Sequence, residues 1–299
     1  MKNLFRIFSN RTLLILILLA NQSSTGFSND SPSLYQQIYK TILPKAEQGD
    51  VSSQYNLGLM YQNGQGIPQN DQKAAKWFKL AAEQGHVQAQ TNLGWIYQNG
   101  RGTPQDDQES ARWFRLAAEQ GHVEAQASLG WIYRNGRGVT QDHRAALNWY
   151  RLAANQQNAD AQHSLGEMYQ NGQGIPQDYQ KAAKWYQLAA KKGHPQAQFN
   201  LASLYDYGRG VDQNHQKAFK WYQLAALQGH TNAQINLGVM YSNGQGVAKD
   251  YVRAYKWFYI SAFDGVKEAI HNRDFIEKKM TPAQIEQAKL LITEWKSLK

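Results

Sequence analysis

Four histidines recur at matched places in this chain: His86, His122, His194 and His230, each directly after a glycine. Histidine is a metal ligand and a general base, so such a series is the first place to look for chemistry. A metal needs several ligands converging on one point, whereas residues one period apart form a spaced row. Contacts that stabilise a loop are therefore the expected role. Tyrosines also recur, at Tyr61, Tyr97, Tyr133, Tyr169, Tyr205 and Tyr241, but their helical register reads as packing rather than as catalytic phenols. Asp106-Asp107 is a carboxylate pair whose position before a helix makes it a cap. No serine stands in a Ser-x-x-Lys or Gly-x-Ser-x-Gly pattern, and no His-Glu-x-x-His occurs. The Gly-x-Gly turns follow no strand and lack the Lys-Ser or Lys-Thr pair of a phosphate loop. The sequence thus predicts no catalytic residue, no metal site and no cofactor.

The residues that could recognise a partner stand where otherwise matched segments disagree. Trp95 and Trp131 occupy a position held elsewhere by Leu59, Glu167, Ser203 and Val239. The position of Gln98 carries Gln62, Arg134, Gln170, Asp206 and Ser242. Large rigid aromatics are the type enriched at binding hot spots, and charges beside them add specificity. Trp95, Trp131, Arg134, Glu167 and Asp206, with Asn92 and Gln98, are the candidate partner-binding residues. The other possibility for the two tryptophans is packing between neighbouring units.

A repeat positions these residues. The phrase Ala89–Arg101, AQTNLGWIYQNGR, has relatives beginning at Ser53, Ala125, Ala161, Ala197 and Ala233, at an interval of 36 residues. Trp77, Trp113, Trp149, Trp185, Trp221 and Trp257 keep the same step. Such self-similarity signals stacked copies of one small unit, each burying its apolar side against its neighbours. Within one unit, Gln90, Leu93, Gly94 and Tyr97 fall on one helical face, leaving Gln88, Asn92, Trp95 and Gln98 around the other side. Gly94 costs about 1 kcal/mol inside a helix, so a partner helix is expected to approach it closely. The helix stops at Asn99-Gly100-Arg101-Gly102, and Asp106 caps a second helix with Ala111, Trp113, Phe114, Ala117 and Ala118 facing inward. The predicted fold is all-α: a solenoid of antiparallel helix pairs.

The pattern LGWIYQNGRG…D…A..W…AA..G resembles the Sel-one-like repeat (SLR) family, relatives of tetratricopeptide repeats. The resemblance covers 53–268 as six units (53–88, 89–124, 125–160, 161–196, 197–232 and 233–268), with a half unit over 35–52 and a helical cap over 269–299. In that cap Thr281-Pro282-Ala283-Gln284 reads as a capping box, followed by an apolar stripe of Ile285, Ala288, Ile292 and Trp295. The resemblance implies a right-handed superhelix whose first helices line a concave groove. It also implies a non-enzymatic scaffold binding a protein or peptide, in bacterial envelope, signalling or host-interaction processes. Some exported relatives are associated with β-lactam binding or hydrolysis, but those are cysteine-rich and this chain has no Cys. Cell-wall glycan is a further ligand class, since aromatics and carboxylates also recognise sugars.

The first residues differ from the rest. Lys2, Arg6 and Arg11 precede the apolar run Leu13–Ala20, the order of a secretory signal peptide with its boundary near residue 20; a polar linker over 21–34 follows. Eight apolar residues would span about 12 Å as a helix, short of the roughly 30 Å bilayer core, so no transmembrane anchor is expected. A periplasmic or secreted location follows as the expectation. The formal charge is +9; without the three leader cations, 29 basic residues face 23 acidic ones. The cations are scattered along the sequence, with no run of the kind that nucleic-acid or membrane patches show, and nucleic acid is not an expected partner.

Overall fold

The computed structural model describes residues 34–263 and 265–297; the predicted signal peptide and nearly all of the predicted polar linker lie outside them. Among the described residues there are fifteen helices and no strand. Helix α1 (Leu34–Glu47) precedes the first pair. The first three pairs are α2/α3 (Val51–Asn63, Asp71–Glu83), α4/α5 (Val87–Asn99, Asp107–Glu119) and α6/α7 (Val123–Asn135, His143–Asn155). The next three are α8/α9 (Ala159–Asn171, Tyr179–Lys191), α10/α11 (Pro195–Tyr207, His215–Leu227) and α12/α13 (Thr231–Asn243, Tyr251–Ser261). Helices α14 (Lys267–Glu277) and α15 (Pro282–Ser297) end the chain. Each helix from α1 to α14 packs on the next along the chain and α15 packs back on α13, giving the all-α solenoid that the period predicts.

Local chemistry fixes the element ends. Gly100 takes φ 66°, in the left-handed region, and its N–H returns to the Ile96 carbonyl, closing α4. The Asp106 side chain accepts from the N–H groups of Gln108 and Glu109, opening α5, as Asn70, Asp142, Asp178, Asn214 and Asp250 do for their own helices. The histidine row proves to be the other set of caps. His86, His194 and His230 accept through Nδ1 from Ala89, Ala197 and Ala233 at 3.1–3.2 Å, and Asn158 does the same for Ala161. His122 is the exception: its Nδ1 lies 3.1 Å from Thr91 Oγ1 instead of capping α6.

Inside each unit a small residue meets an aromatic ring. A Cβ at Gly94 would stand 2.9 Å from the Phe114 ring, and one at Gly166 would stand 2.5 Å from Tyr186. The helix-weakening glycine therefore lets the two helices close on one another. Leu57, Leu93, Leu129, Leu165, Leu201 and Leu237 are fully buried beside it, each contributing roughly 2 kcal/mol of apolar transfer. The in-step tryptophans are buried or half-buried scaffold, Trp113 and Trp257 most deeply.

A polar ladder clamps unit to unit. The buried Gln90 donates its Nε2 to the Ala82 carbonyl of the preceding unit at 3.1 Å, and Gln54, Gln126, Gln162, Gln198 and Gln234 repeat the bond. Each buried amide thus places its donor on a helix-end carbonyl that also accepts a backbone N–H of its own turn, as Ala82 does from Gly85 at 3.0 Å. At the C-terminal end Thr281 and Gln284 form the expected reciprocal capping box. Ala288 and Ile292 are buried against the last unit, and Trp295 meets Trp257 edge-on at 5.3 Å.

Candidate functional site

The first helices of successive units lie side by side, and α6 touches α8 directly. Their free sides therefore make one continuous face. Trp95 and Trp131 stand on it in neighbouring units, 37% and 38% exposed. Each is held by a ring contact. The edge of Trp95 meets Phe114 with ring centroids 5.1 Å apart, and the Arg137 guanidinium lies over Trp131 at 5.5 Å. Asn92 and Gln98 flank Trp95 one turn away on either side, both half-buried. Gln98 carries a buried Oε1 with no hydrogen-bond partner among the described residues.

The charged candidates are arranged differently. Arg134 donates from Nη1 to Glu167 Oε2 at 2.7 Å, joining α6 to α8. Burial opposes the charge on Arg134, but the bond to Glu167 outweighs it and its pKa is raised. Asp206 is not part of this pair; its Oδ1 lies 2.8 Å from His215 Nδ1, within its own unit. A histidine held by a carboxylate is half of a nucleophile-activating relay. The hydrogen bonds of His215 among the described residues end at Asp206. No group of three or more His, Cys, Asp or Glu among the described residues is placed to hold a metal.

Two features of this face escape a reading of the first helices alone. The ring beneath it, on the second helix, is Phe78, Phe114 and Phe258 in three units but Tyr150, Tyr186 and Tyr222 in the middle three. Burial raises the pKa of each of these tyrosines, so all three stay neutral. The Tyr186 hydroxyl donates to Gln170 Oε1 at 3.1 Å. The floor is therefore apolar under Trp95 and carries phenol hydroxyls under Arg134, Glu167 and Asp206, of which that of Tyr222 is buried without a hydrogen-bond partner among the described residues. Comparing the second-helix aromatic from unit to unit would have revealed the switch.

The second feature is His163, on the same face. Its ring stacks on His194 at 4.6 Å, its Nε2 lies 3.1 Å from Asn200 Nδ2, and Glu167 stands 3.9 Å away. Burial lowers its pKa to about 4, so it is neutral at physiological pH. Tyr55 and Phe199, its counterparts in other units, stack on His86 and His230 at 4.4 and 4.6 Å. Its position is a packing column, which explains why its chemistry is hidden in the sequence.

The Gly-x-Gly turns are joints between units rather than anion cradles. Arg101 and Arg137 between the glycines reach back to Asp71 and Asp107 of the preceding unit at 3.1–3.2 Å.

Comparison with known proteins fits this architecture. The family model described as the Sel1 repeat matches six successive segments, 51–86, 87–122, 123–158, 159–194, 195–230 and 231–262. The chain belongs to the Sel1 repeat family. Arrays of this repeat commonly serve as protein-interaction scaffolds and are typically non-catalytic. Among solved structures, the chain is similar to a Sel1 repeat protein from Oxalobacter formigenes, with 32% identity and a TM-score of 0.69 over 76% of this chain and 91% of that one. It is also similar to c5321, a protective antigen present in uropathogenic Escherichia coli strains, which displays an SLR fold. There the identity is 32% and the TM-score 0.57, over 88% of this chain and 67% of that one. No curated protein matches. No helix among the described residues of this Sel1 array is long and apolar enough to cross a membrane.

Proposed function

We propose that this Sel1 array is an exported, non-enzymatic adaptor whose first-helix face is a groove that holds an extended segment of a partner protein. The observation that carries this reading is the exposure of Trp95 and Trp131 on adjacent first helices, at a position the repeated packing leaves free to vary. Aromatic anchors of this kind supply most of the binding energy in an interface. The partner segment would place apolar side chains against Leu59, Trp95 and Trp131 and polar groups over Glu167 and Asp206. The leader pattern around Leu13–Ala20 supports a periplasmic or secreted location.

The test is crosslinked co-purification from intact cells with photo-probes beside Trp95, comparing the native protein with the pair Trp95→Leu and Trp131→Leu. Leucine already stands at position 59, so the fold tolerates it there. Repeated recovery of one protein, at least ten-fold reduced in the variant, supports the adaptor. Capture of purified cell-wall sacculi with the same Trp dependence would replace the peptide with a glycan. Unchanged capture in the variant would remove the tryptophans from the site.

A further inference from the structure

The outer side of the second helices carries a charge pattern that the linear sequence conceals. In each second helix, four residues at i, i+3, i+7 and i+10 form a stripe opposite the buried alanines. In α3 the stripe is Lys73, Lys76, Leu80, Glu83, and in α5 it is Glu109, Arg112, Leu116, Glu119. In α7 it has no charge at all: Ala145, Asn148, Leu152, Asn155. The last three units differ. Helix α9 presents Lys181, Lys184, Leu188 and Lys191; α11 presents Lys217, Lys220, Leu224 and Leu227; α13 and its end present Arg253, Lys256, Ile260 and Phe263. Not one Asp or Glu lies within α9, α11 or α13.

Local pairing covers only part of this charge. Lys181 and Arg253 reach the capping carboxylates Asp178 and Asp250 at 3.1 and 3.5 Å. Among the described residues, no carboxylate lies within ion-pair distance of Lys184, Lys191 or Lys220. Large apolar groups stand exposed among these cations: Leu188, Leu224 and Leu227 at 44–46% and Phe263 at 71%. Each second helix is about 20 Å long and the stripe recurs at the same 36-residue step, so the charge is spread over a broad outer face.

We propose that this outer face of the last three units docks on an anionic lipid surface. Three properties select lipid over other anions. Lysine outnumbers arginine, giving mobile point charges suited to a diffuse negative surface rather than to bidentate phosphate recognition. Leucine and phenylalanine between the cations gain from an apolar layer beneath the headgroups, which a soluble polyanion or nucleic acid does not offer. The face is also broad, matching a surface rather than a strand. It lies on the second helices, away from Trp95 and Trp131, so the proposal stands independently of the adaptor reading.

The absence of cysteine from the whole sequence makes a direct test available. The full chain with Leu224→Cys carries a polarity-sensitive fluorophore at that single thiol. A second protein with Gln88→Cys carries it on the first-helix face. Vesicles of phosphatidylglycerol mixed with phosphatidylcholine are expected to blue-shift the Leu224 probe but not the Gln88 probe. Pure phosphatidylcholine, or raised salt, is expected to abolish the shift. Adding Lys184→Gln, Lys191→Gln and Lys220→Gln is expected to lower partitioning about five-fold per lysine, on the order of 100-fold together. Vesicle binding without a shift at Leu224 would overturn the proposal, since the apolar leader would then be the anchor. So would a shift at both probes. Tight, salt-sensitive binding of polyphosphate or nucleic acid without vesicle binding would reassign the face to a soluble polyanion.

Discussion

Gln120 donates its Nε2 to Oε1 of Gln90 at 2.8 Å, and the same bond joins Gln84 to Gln54, Gln156 to Gln126 and Gln228 to Gln198. In the fourth unit the donor is Lys192, which reaches the Gln157 carbonyl instead, and Gln162 Oε1 is buried without a hydrogen-bond partner among the described residues. A buried acceptor left unpaired costs about 1–3 kcal/mol, so the rung at Gln162 is the weakest of the ladder. Lys192→Gln is expected to raise the unfolding free energy by about 1 kcal/mol, measured by urea denaturation. A neutral or negative result would show that Lys192 compensates in another way.

The junction just before that unit carries a second defect. Gln157 holds φ 66° where Gly85, Gly121, Gly193 and Gly229 hold φ 88°. A non-glycine residue in the left-handed region costs about 1–2 kcal/mol. Gln157→Gly is expected to recover about 1 kcal/mol, and amide exchange in α7 and α8 is expected to slow. Faster exchange there would mean that the Gln157 side chain stabilises the junction.

His163 predicts an acid-sensitive joint. Burial lowers its folded-state pKa to about 4, below the unfolded value of about 6.5, so the native state binds fewer protons between these values. The stability it contributes is complete above about pH 6.5 and is lost as pH falls through about 4. The groups facing it (Glu167, Arg134, Asp160 and His194) shape the curve as well. Linkage sets the loss at up to about 3 kcal/mol. His163→Phe, the residue that unit five carries at Phe199, is expected to flatten the stability profile between pH 7 and 4.5. A profile unchanged by the substitution would place the acid sensitivity elsewhere.

The Arg134–Glu167 bond joins two units and is well shielded, the side chains being 19% and 30% exposed; Arg101–Asp71 is more open, at 45% and 32%. Double-mutant cycles to alanine are expected to give about 1–2 kcal/mol of coupling for the first pair and less than about 1 kcal/mol for the second. Equal coupling would mean that shielding adds nothing here.

Close packing at the small-residue column gives the last prediction. Gly166→Val must displace the Tyr186 ring, since a Cβ alone would stand 2.5 Å from it. Overpacking of this kind costs about 1–3 kcal/mol, more than the gain in helix propensity of well under about 1 kcal/mol. The melting temperature is expected to fall by several degrees. An unchanged value would show that the helices can part without penalty.

The sequence by itself determined whatever every unit must repeat. Leu93, Gly94, Gly100 and Asp106 recur because each hairpin needs a buried leucine, a close approach, a stop and a start, and these needs are local. Trp95 and Trp131 were legible as departures from that pattern. What only the tertiary structure decided lies between units. Arg134 and Glu167 are 33 residues apart and meet because neighbouring first helices lie side by side. Lys184, Lys220 and Lys256 are spread through the sequence and recur on the outer side because each holds the same position in a stacked unit. A 36-residue period states that units stack, but the contacts across a junction depend on the rotation from one unit to the next. That rotation is set by the summed packing of side chains such as Phe114, Tyr186 and the glutamine ladder, and no single stretch of sequence encodes it.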